Sequence, residues 1–105
     1  MDKIKGLLLE FKTGLSSIYG SRLKGVYLYG SYAKGTQDAE SDLDIIIVLE
    51  EFSNYAEEVD RVGKLGSDLS LKYNVSISKV FVRESEWAHK ATFFLSSVGQ
   101  EAIAA

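Results

Sequence analysis

Segment 25–49 reads GVYLYGSYAKGTQDAESDLDIIIVL, and it combines two apolar runs with a polar stretch between them. The β-prone run 25–29 closes on Gly30, which predicts a short strand that ends in a glycine turn. A short helical turn is expected over 32–34, followed by a polar loop. The run 42–49 begins acidic and ends fully apolar, which predicts a second strand whose far end is buried on both faces.

Two carboxylates open this second predicted strand. Asp42 and Asp44 stand two residues apart, so both side chains are expected to project from one face of the strand. Like charges held this closely repel each other unless a cation lies between them. Mg²⁺ takes oxygen ligands of this kind, so the pair predicts a metal site. The alternative is an acidic, solvated strand end.

The glycine turn supplies the other half of a ligand site. Glycine lets the backbone approach a ligand closely, and free amides at a helix start attract phosphate. The Ser31 hydroxyl can donate to a phosphate oxygen, and Lys34 could reach one from the turn, although a solvated lysine is an equal interpretation. Gly30 and Ser31 alone would indicate an ordinary turn. Joined to Asp42 and Asp44 across a short loop, they predict a metal–triphosphate site.

The rest of the chain supplies helices and a third strand. Apolar residues recur at steps of three and four over 4–19 and 54–74, the period of amphipathic helices. Residues 75–82 predict a third strand, and Ser85 is expected to cap a final helix. The helix between the second and third strands favours a parallel pair, whereas the first two strands are joined too briefly to require one. We therefore expect one α/β (α+β) domain over residues 1–105, with helices packed on a short mixed sheet.

The composition limits which metal ions and which partners the chain is expected to bind. The 105 residues include no cysteine and one histidine, which leaves a hard cation held by oxygen, Mg²⁺ or Mn²⁺. The formal net charge of −3 argues against a basic surface for duplex nucleic acid. No apolar run approaches the roughly 18 residues that span a membrane, and the N-terminus lacks a signal-peptide pattern. A cytoplasmic protein without membrane contact is expected.

The two motifs together resemble a known signature. The pattern G-S-x-A-x-G over 30–35, then five residues, then S-D-x-D over 41–44 is similar to that of the DNA polymerase beta-like nucleotidyltransferase superfamily. Because the chain holds little beyond this core, it resembles the minimal nucleotidyltransferases, which are often found beside HEPN-domain proteins in toxin–antitoxin pairs. The resemblance implies attack on the α-phosphorus of a nucleoside triphosphate, with ATP as the expected donor and a hydroxyl group as acceptor.

The resemblance also implies a role for each motif residue. Gly30 and Ser31 would hold the triphosphate, while Asp42 and Asp44 would bind the metal ions. Two metal ions about 3.5–4 Å apart would stabilise the attacking and leaving oxygens. A nucleoside monophosphate, AMP, would be transferred, and pyrophosphate would leave.

One part of the family pattern is missing. Active members place a third carboxylate on the next core strand, where it helps to hold the catalytic metal and can accept the proton of the attacking hydroxyl. The matching segment 74–80 reads NVSISKV and contains no acid, so Ser76, and after it Ser78, is expected in that place. General-base help is worth about 10²–10⁴-fold, so its loss would slow transfer without abolishing nucleotide binding. Glu84 and Glu86 could substitute only if the chain turned back over the site.

Two functions remain open on these grounds. The first is a nucleotidyltransferase, which the acidic pair favours. The second is a catalytically weak or inactive module that acts as an antitoxin-like partner of a HEPN-type protein, which the missing acid favours. Trp87, Phe93 and Phe94 in the last helix are predicted as core residues, or as an exposed patch that marks a partner surface.

Overall fold

The computed structural model of the protein describes residues 2–90, 93–99 and 101–105. Among these described helices, none combines the length and the hydrophobicity needed to cross a lipid bilayer. The elements are α1 (Asp2–Tyr19), a 3₁₀ turn (Gly20–Arg22), β1 (Leu23–Tyr29), α2 (Ser31–Lys34), β2 (Leu43–Leu49), α3 (Tyr55–Tyr73), β3 (Ile77–Arg83), α4 (Glu84–His89), α5 (Phe93–Val98) and β4 (Ile103–Ala104).

The described strands form one mixed sheet in the order β3-β2-β1-β4. β2 and β3 run parallel, as expected for two strands joined through a helix. β1 is antiparallel to both β2 and β4. The prediction of a short mixed sheet packed with helices is therefore confirmed.

Residues of β2 alternate between two apolar clusters on opposite faces of the sheet. The larger cluster lies between the sheet and the helices α1 and α3, and the smaller one lies on the opposite face beneath α4 and α5. The predicted burial of β2 on both faces is confirmed. The larger cluster takes Leu43, Ile45, Ile47 and Leu49 from β2, and the smaller one takes Ile46 and Val48.

Helices α1 and α3 pack side by side on one face, and their ends follow local chemistry. The buried stripe of α1 includes Leu7, Phe11 and Leu15, at the helical spacing seen in the sequence. Asn54 caps α3, because its Oδ1 accepts a hydrogen bond from the Glu57 amide at 3.2 Å. These two helices cover one face of the sheet, while α4 and α5 lie on the other.

The third strand and the final helix depart from their expected limits. β3 begins at Ile77, because the Val75 amide donates to the Ser70 carbonyl at 3.1 Å and continues the end of α3. Ser85 is not a cap: α4 begins at Glu84, and the Glu86 carboxylate accepts a hydrogen bond from the Arg83 amide at 3.2 Å. That interaction fills the capping role that the sequence had suggested for serine.

The single final helix that was expected is two helices in the structure. Lys90 adopts a left-handed conformation with φ of 49° and ends α4. Leu95 in α5 is buried in the smaller apolar cluster, and Trp87 packs against that cluster. The predicted core positions Phe93 and Phe94 lie in α5, but their side chains fall outside the described part of the structure. The two-residue strand β4 was not predicted.

Candidate active site

One row of side chains crosses the sheet where β2 and β3 begin. Asp44 pairs with Tyr29 of β1 on one side and with Ser78 of β3 on the other. Strand alternation puts all three side chains on the face opposite α1 and α3. The place of Tyr29 beside Asp44 depends on strand register, which the sequence does not reveal.

The same register corrects the expected order of the two serines. Ser78, not Ser76, stands directly opposite Asp44. Ser76 precedes β3 and is exposed, and its carbonyl accepts the Leu43 amide at 2.8 Å. Ser78 is therefore the residue in line with the acidic pair at the position where the resemblance implies a third carboxylate.

The two carboxylates differ in their surroundings. Asp44 is half-buried within β2, whereas Asp42 is exposed and precedes the strand, which begins one residue later than expected. Burial raises the pKa of Asp44, and the nearby charge of Asp42 raises it further. The two charges therefore interact unfavourably, as the spacing predicted.

Gly30 and Asp44 are in close contact. Gly30 has φ of 72° and ψ of −152°, a conformation that is essentially limited to glycine. A Cβ atom at this position would overlap the Asp44 carboxylate oxygen Oδ2. The glycine turn and the acidic pair are thus brought together by the fold.

The segment after Gly30 forms the predicted helical turn, α2. The amides of Ala33 and Lys34 both donate to the Gly30 carbonyl at 3.1 Å, and Gly35 ends the turn with φ of 75°. Ser31, the first residue of α2, is half-buried beside this glycine. Ser31 therefore remains next to the contact between Gly30 and Asp44.

Lys34 has a protein partner in the structure. Its Nζ lies 3.3 Å from Glu101 Oε2, and about half of each side chain is exposed. An exposed ion pair of this kind contributes about 0–1 kcal/mol, so it is easily exchanged for another anion.

The two acids beyond β3 lie far from the row. Arg83 pairs with Leu49 at the opposite end of the strands, five residues along β3 from Ser78. At about 3.3 Å per residue, this separation exceeds ~15 Å, so neither Glu84 nor Glu86 can take the place of a third carboxylate.

Trp87 of α4 is a packing residue. The rings of Trp87 and Tyr27 lie 4.7 Å apart, and the Lys90 ammonium group lies 3.8 Å from the Trp87 ring. This contact agrees with the prediction that Trp87 belongs to the packed core.

The donor set of the site fits a hard divalent cation. No group of three or more histidine, aspartate or glutamate side chains that could hold a metal occurs in the described part of the chain. The two carboxylates supply oxygen ligands only, as Mg²⁺ or Mn²⁺ prefers. A cation would offset both the burial and the charge of Asp42, which together raise the pKa of Asp44. Asp42 and Asp44 are the residues that would hold it.

Comparison with known proteins decides the family. Residues 8–98 match the nucleotidyltransferase domain family. The chain belongs to this family. The nucleotidyltransferase domain is 37% identical over 79 residues to "Putative protein adenylyltransferase MJ0141" of Methanocaldococcus jannaschii, a match that covers 75% of the chain and 79% of that relative.

Solved structures share the fold of this nucleotidyltransferase. A toxin–antitoxin crystal structure with AMP-PNP matches with a TM-score of 0.62 and 22% identity, covering 90% of this chain and 68% of that one. The Shewanella oneidensis complex of a tri-AMPylated HEPN toxin with an MNT antitoxin matches with a TM-score of 0.52 and 16% identity, covering 93% and 70%. The expected resemblance to minimal nucleotidyltransferases is confirmed.

Proposed function

We propose that this nucleotidyltransferase binds a nucleoside triphosphate with Mg²⁺ or Mn²⁺ and transfers AMP from ATP to a hydroxyl group of a protein. The observation that carries the proposal is the contact between the Gly30 backbone and the Asp44 carboxylate. A protein acceptor is supported by the relatives named as protein adenylyltransferases, and an adenine nucleotide by the related structure with AMP-PNP.

Each motif residue would make a different contact with the metal-bound triphosphate. The bare Gly30 backbone lets a phosphate group come close to the acidic pair, and the Ser31 hydroxyl donates to a phosphate oxygen. Lys34 can exchange Glu101 for the triphosphate, since that ion pair is exposed. Asp42 and Asp44 would hold the cation, which would supply positive charge to neutralise the negative charge of the transferred phosphate group.

In this reaction the acceptor oxygen forms a bond to the α-phosphorus, the bond to the leaving oxygen breaks, and pyrophosphate departs. The hydroxyl proton must go elsewhere, to water or to a basic group of the acceptor, because Ser78 is a poor base. The absence of a carboxylate at this position should cost about 10²–10⁴-fold in rate. Slow transfer is therefore part of the proposal.

Restoring an acid beside Asp44 tests the proposal. The nucleotidyltransferase is incubated with Mg²⁺, ATP labelled at the α-phosphate, and the protein encoded by the neighbouring gene. Label on the product of the neighbouring gene is then measured. Ser78→Asp should transfer label faster than the wild type, whereas Ser76→Asp, exposed and ahead of β3, serves as the matched control. Label transfer that does not require Asp42 and Asp44 would contradict the proposed site.

A second function is favoured by the same serine. With Ser78 opposite Asp44, the chain can act as a catalytically weak or inactive module that binds a HEPN-type protein as an antitoxin. The fold shared with the MNT antitoxin of the Shewanella oneidensis complex supports this alternative. Tight binding of the HEPN-type protein, with no label transfer by wild type, Ser78→Asp or Ser76→Asp, would favour it over the enzyme.

A further inference from the structure

Strand β3 is an edge of the described sheet, and its backbone groups divide into two sets. The Leu43 amide donates to the Ser76 carbonyl, so even-numbered residues of β3 turn their backbone groups toward β2. Alternation then turns the groups of Ile77, Lys79, Phe81 and Arg83 away from the sheet. An edge of this kind is a template for another strand.

Among the described residues, side chains of the chain itself block one half of this edge. The Phe81 amide donates to the Tyr55 hydroxyl at 3.1 Å, and the Arg83 amide donates to the Glu86 carboxylate at 3.2 Å. The outward amides of Ile77 and Lys79 have no hydrogen-bond partner among the described residues. The open half therefore lies at the end of the sheet that carries Asp44.

A groove runs beside the open half. It has a volume of about 370 Å³ between α3 and β3, and its lining includes Gly66, Ser70, Leu71 and Lys79. Through Ser70 and Leu71 it joins a cleft of about 540 Å³ that reaches the beginnings of β2 and β3. Leu71 is 82% exposed and offers an apolar contact at the rim. An extended chain in this groove would run toward the end of the sheet at which β2 and β3 begin.

The charge of the residues that line the groove favours an acidic ligand. Of the described residues that line the groove, Lys79 alone is charged. Its side chain is half-buried and lies across Gly66, where a Cβ atom would come within 2.8 Å of Nζ. Lys79 forms no ion pair with a described side chain, so an incoming carboxylate would give this cation its partner.

We infer that an extended, acidic segment of the acceptor protein adds as a strand to β3 at residues 77–79. Backbone hydrogen bonds to Ile77 and Lys79 would hold the segment, and an acidic side chain would contact the Lys79 ammonium group. Antiparallel pairing with a second copy of the chain fits less well, because it would bring two Lys79 side chains together. The inference rests on the proposed function only in naming the segment as part of the acceptor.

Backbone NMR with two synthetic peptides tests this inference. One peptide alternates valine with aspartate, and the other alternates valine with lysine. The aspartate peptide should shift the amide signals of Ile77 and Lys79 and slow their hydrogen exchange, while the amides of Phe81 and Arg83 stay unchanged. Lys79→Glu should reverse the preference to the lysine peptide. Lys24→Glu, which changes an exposed lysine of β1, should leave it unaltered.

Three results would overturn the inference. They are the absence of shifts at Ile77 and Lys79 with the aspartate peptide, equal shifts with both peptides, and concentration-dependent shifts without any peptide, which would identify a second copy as the occupant. None of them bears on nucleotide binding, which is measured separately by calorimetry with ATP. Loss of ATP binding with intact peptide shifts would remove the proposed function and leave the docking edge in place.

Discussion

At the scale of single residues, the candidate site depends on a glycine whose missing side chain makes room for a carboxylate. Gly30 and Gly35 both have positive φ, at 72° and 75°. They differ in surroundings: a Cβ at Gly30 would overlap Asp44, whereas one at Gly35 would meet no atom of the described residues within 4 Å. Two glycines that bracket the same turn therefore give a matched pair of test positions.

Gly30→Ala should abolish ATP binding and lower the free energy of unfolding more than Gly35→Ala. The Gly35 substitution costs the usual left-handed penalty of about 1–2 kcal/mol, since its surroundings are open. The Gly30 substitution adds a clash with Asp44 and a backbone conformation that alanine avoids. Urea denaturation and calorimetry with Mg²⁺ and ATP measure both effects. Equal losses in the two variants would show that the contact with Asp44 is unimportant.

Asp44 should lower stability at neutral pH. Burial, and then the charge of Asp42, raise the pKa of Asp44 in the folded state, so folding favours the protonated carboxyl. That stabilising contribution is complete below the unfolded-state pKa of about 3.9 and is lost as pH rises through the folded-state pKa. Asp44→Asn should therefore raise the free energy of unfolding at pH 7, and the gain should vanish near pH 3.

Urea titrations at the two pH values measure this difference, in the absence of divalent cations. Asp60→Asn, at an exposed position of α3, is the control and should show no comparable gain at pH 7. A lower stability of Asp44→Asn at pH 7 would mean that the carboxylate stabilises the fold instead of serving a ligand.

At the scale of elements, helix α3 carries the connection that makes β2 and β3 parallel, and its start depends on a cap. Asn54→Ala should lower the free energy of unfolding by about 0.5–2 kcal/mol, because the Glu57 amide loses its acceptor. Ser53→Ala, at the adjacent exposed residue, should change stability little. Thermal denaturation of both variants checks this, and an equal change in the two would argue against the cap.

How far the sequence predicts an element depends on whether the element is fixed by local pattern. The stripe that includes Leu7, Phe11 and Leu15 predicts α1 because its period is helical along its whole length. The two-residue β4 has no pattern to detect, since pairing with β1 alone defines it. The break at Lys90 depends on a left-handed conformation that its residue type does not favour.

The same distinction applies to the candidate site. The motifs identify Gly30, Ser31, Asp42 and Asp44 by spacing alone. The choice between Ser76 and Ser78, and the place of Tyr29, depend on how three strands pair, and strand register is set by packing between distant parts of the chain.

At the scale of the whole molecule, the sheet lies between the larger apolar core and the candidate active site. Helices α1 and α3 cover one face and form the larger core, while the other face carries Tyr29, Asp44 and Ser78 at the end where β2 and β3 begin. The net charge of −3 and the acidic pair would repel a triphosphate in the absence of a cation. Nucleotide binding should therefore require a divalent metal.

Isothermal calorimetry with ATP, in Mg²⁺ and then in a chelator, tests this central claim most directly. We expect saturable binding heat with Mg²⁺, no heat in the chelator, and loss of the metal-dependent heat in Asp44→Asn despite an intact fold. The Asp60→Asn variant should bind as the wild type does. Equal affinity for ATP with and without the metal, or undiminished binding by Asp44→Asn, would contradict the account.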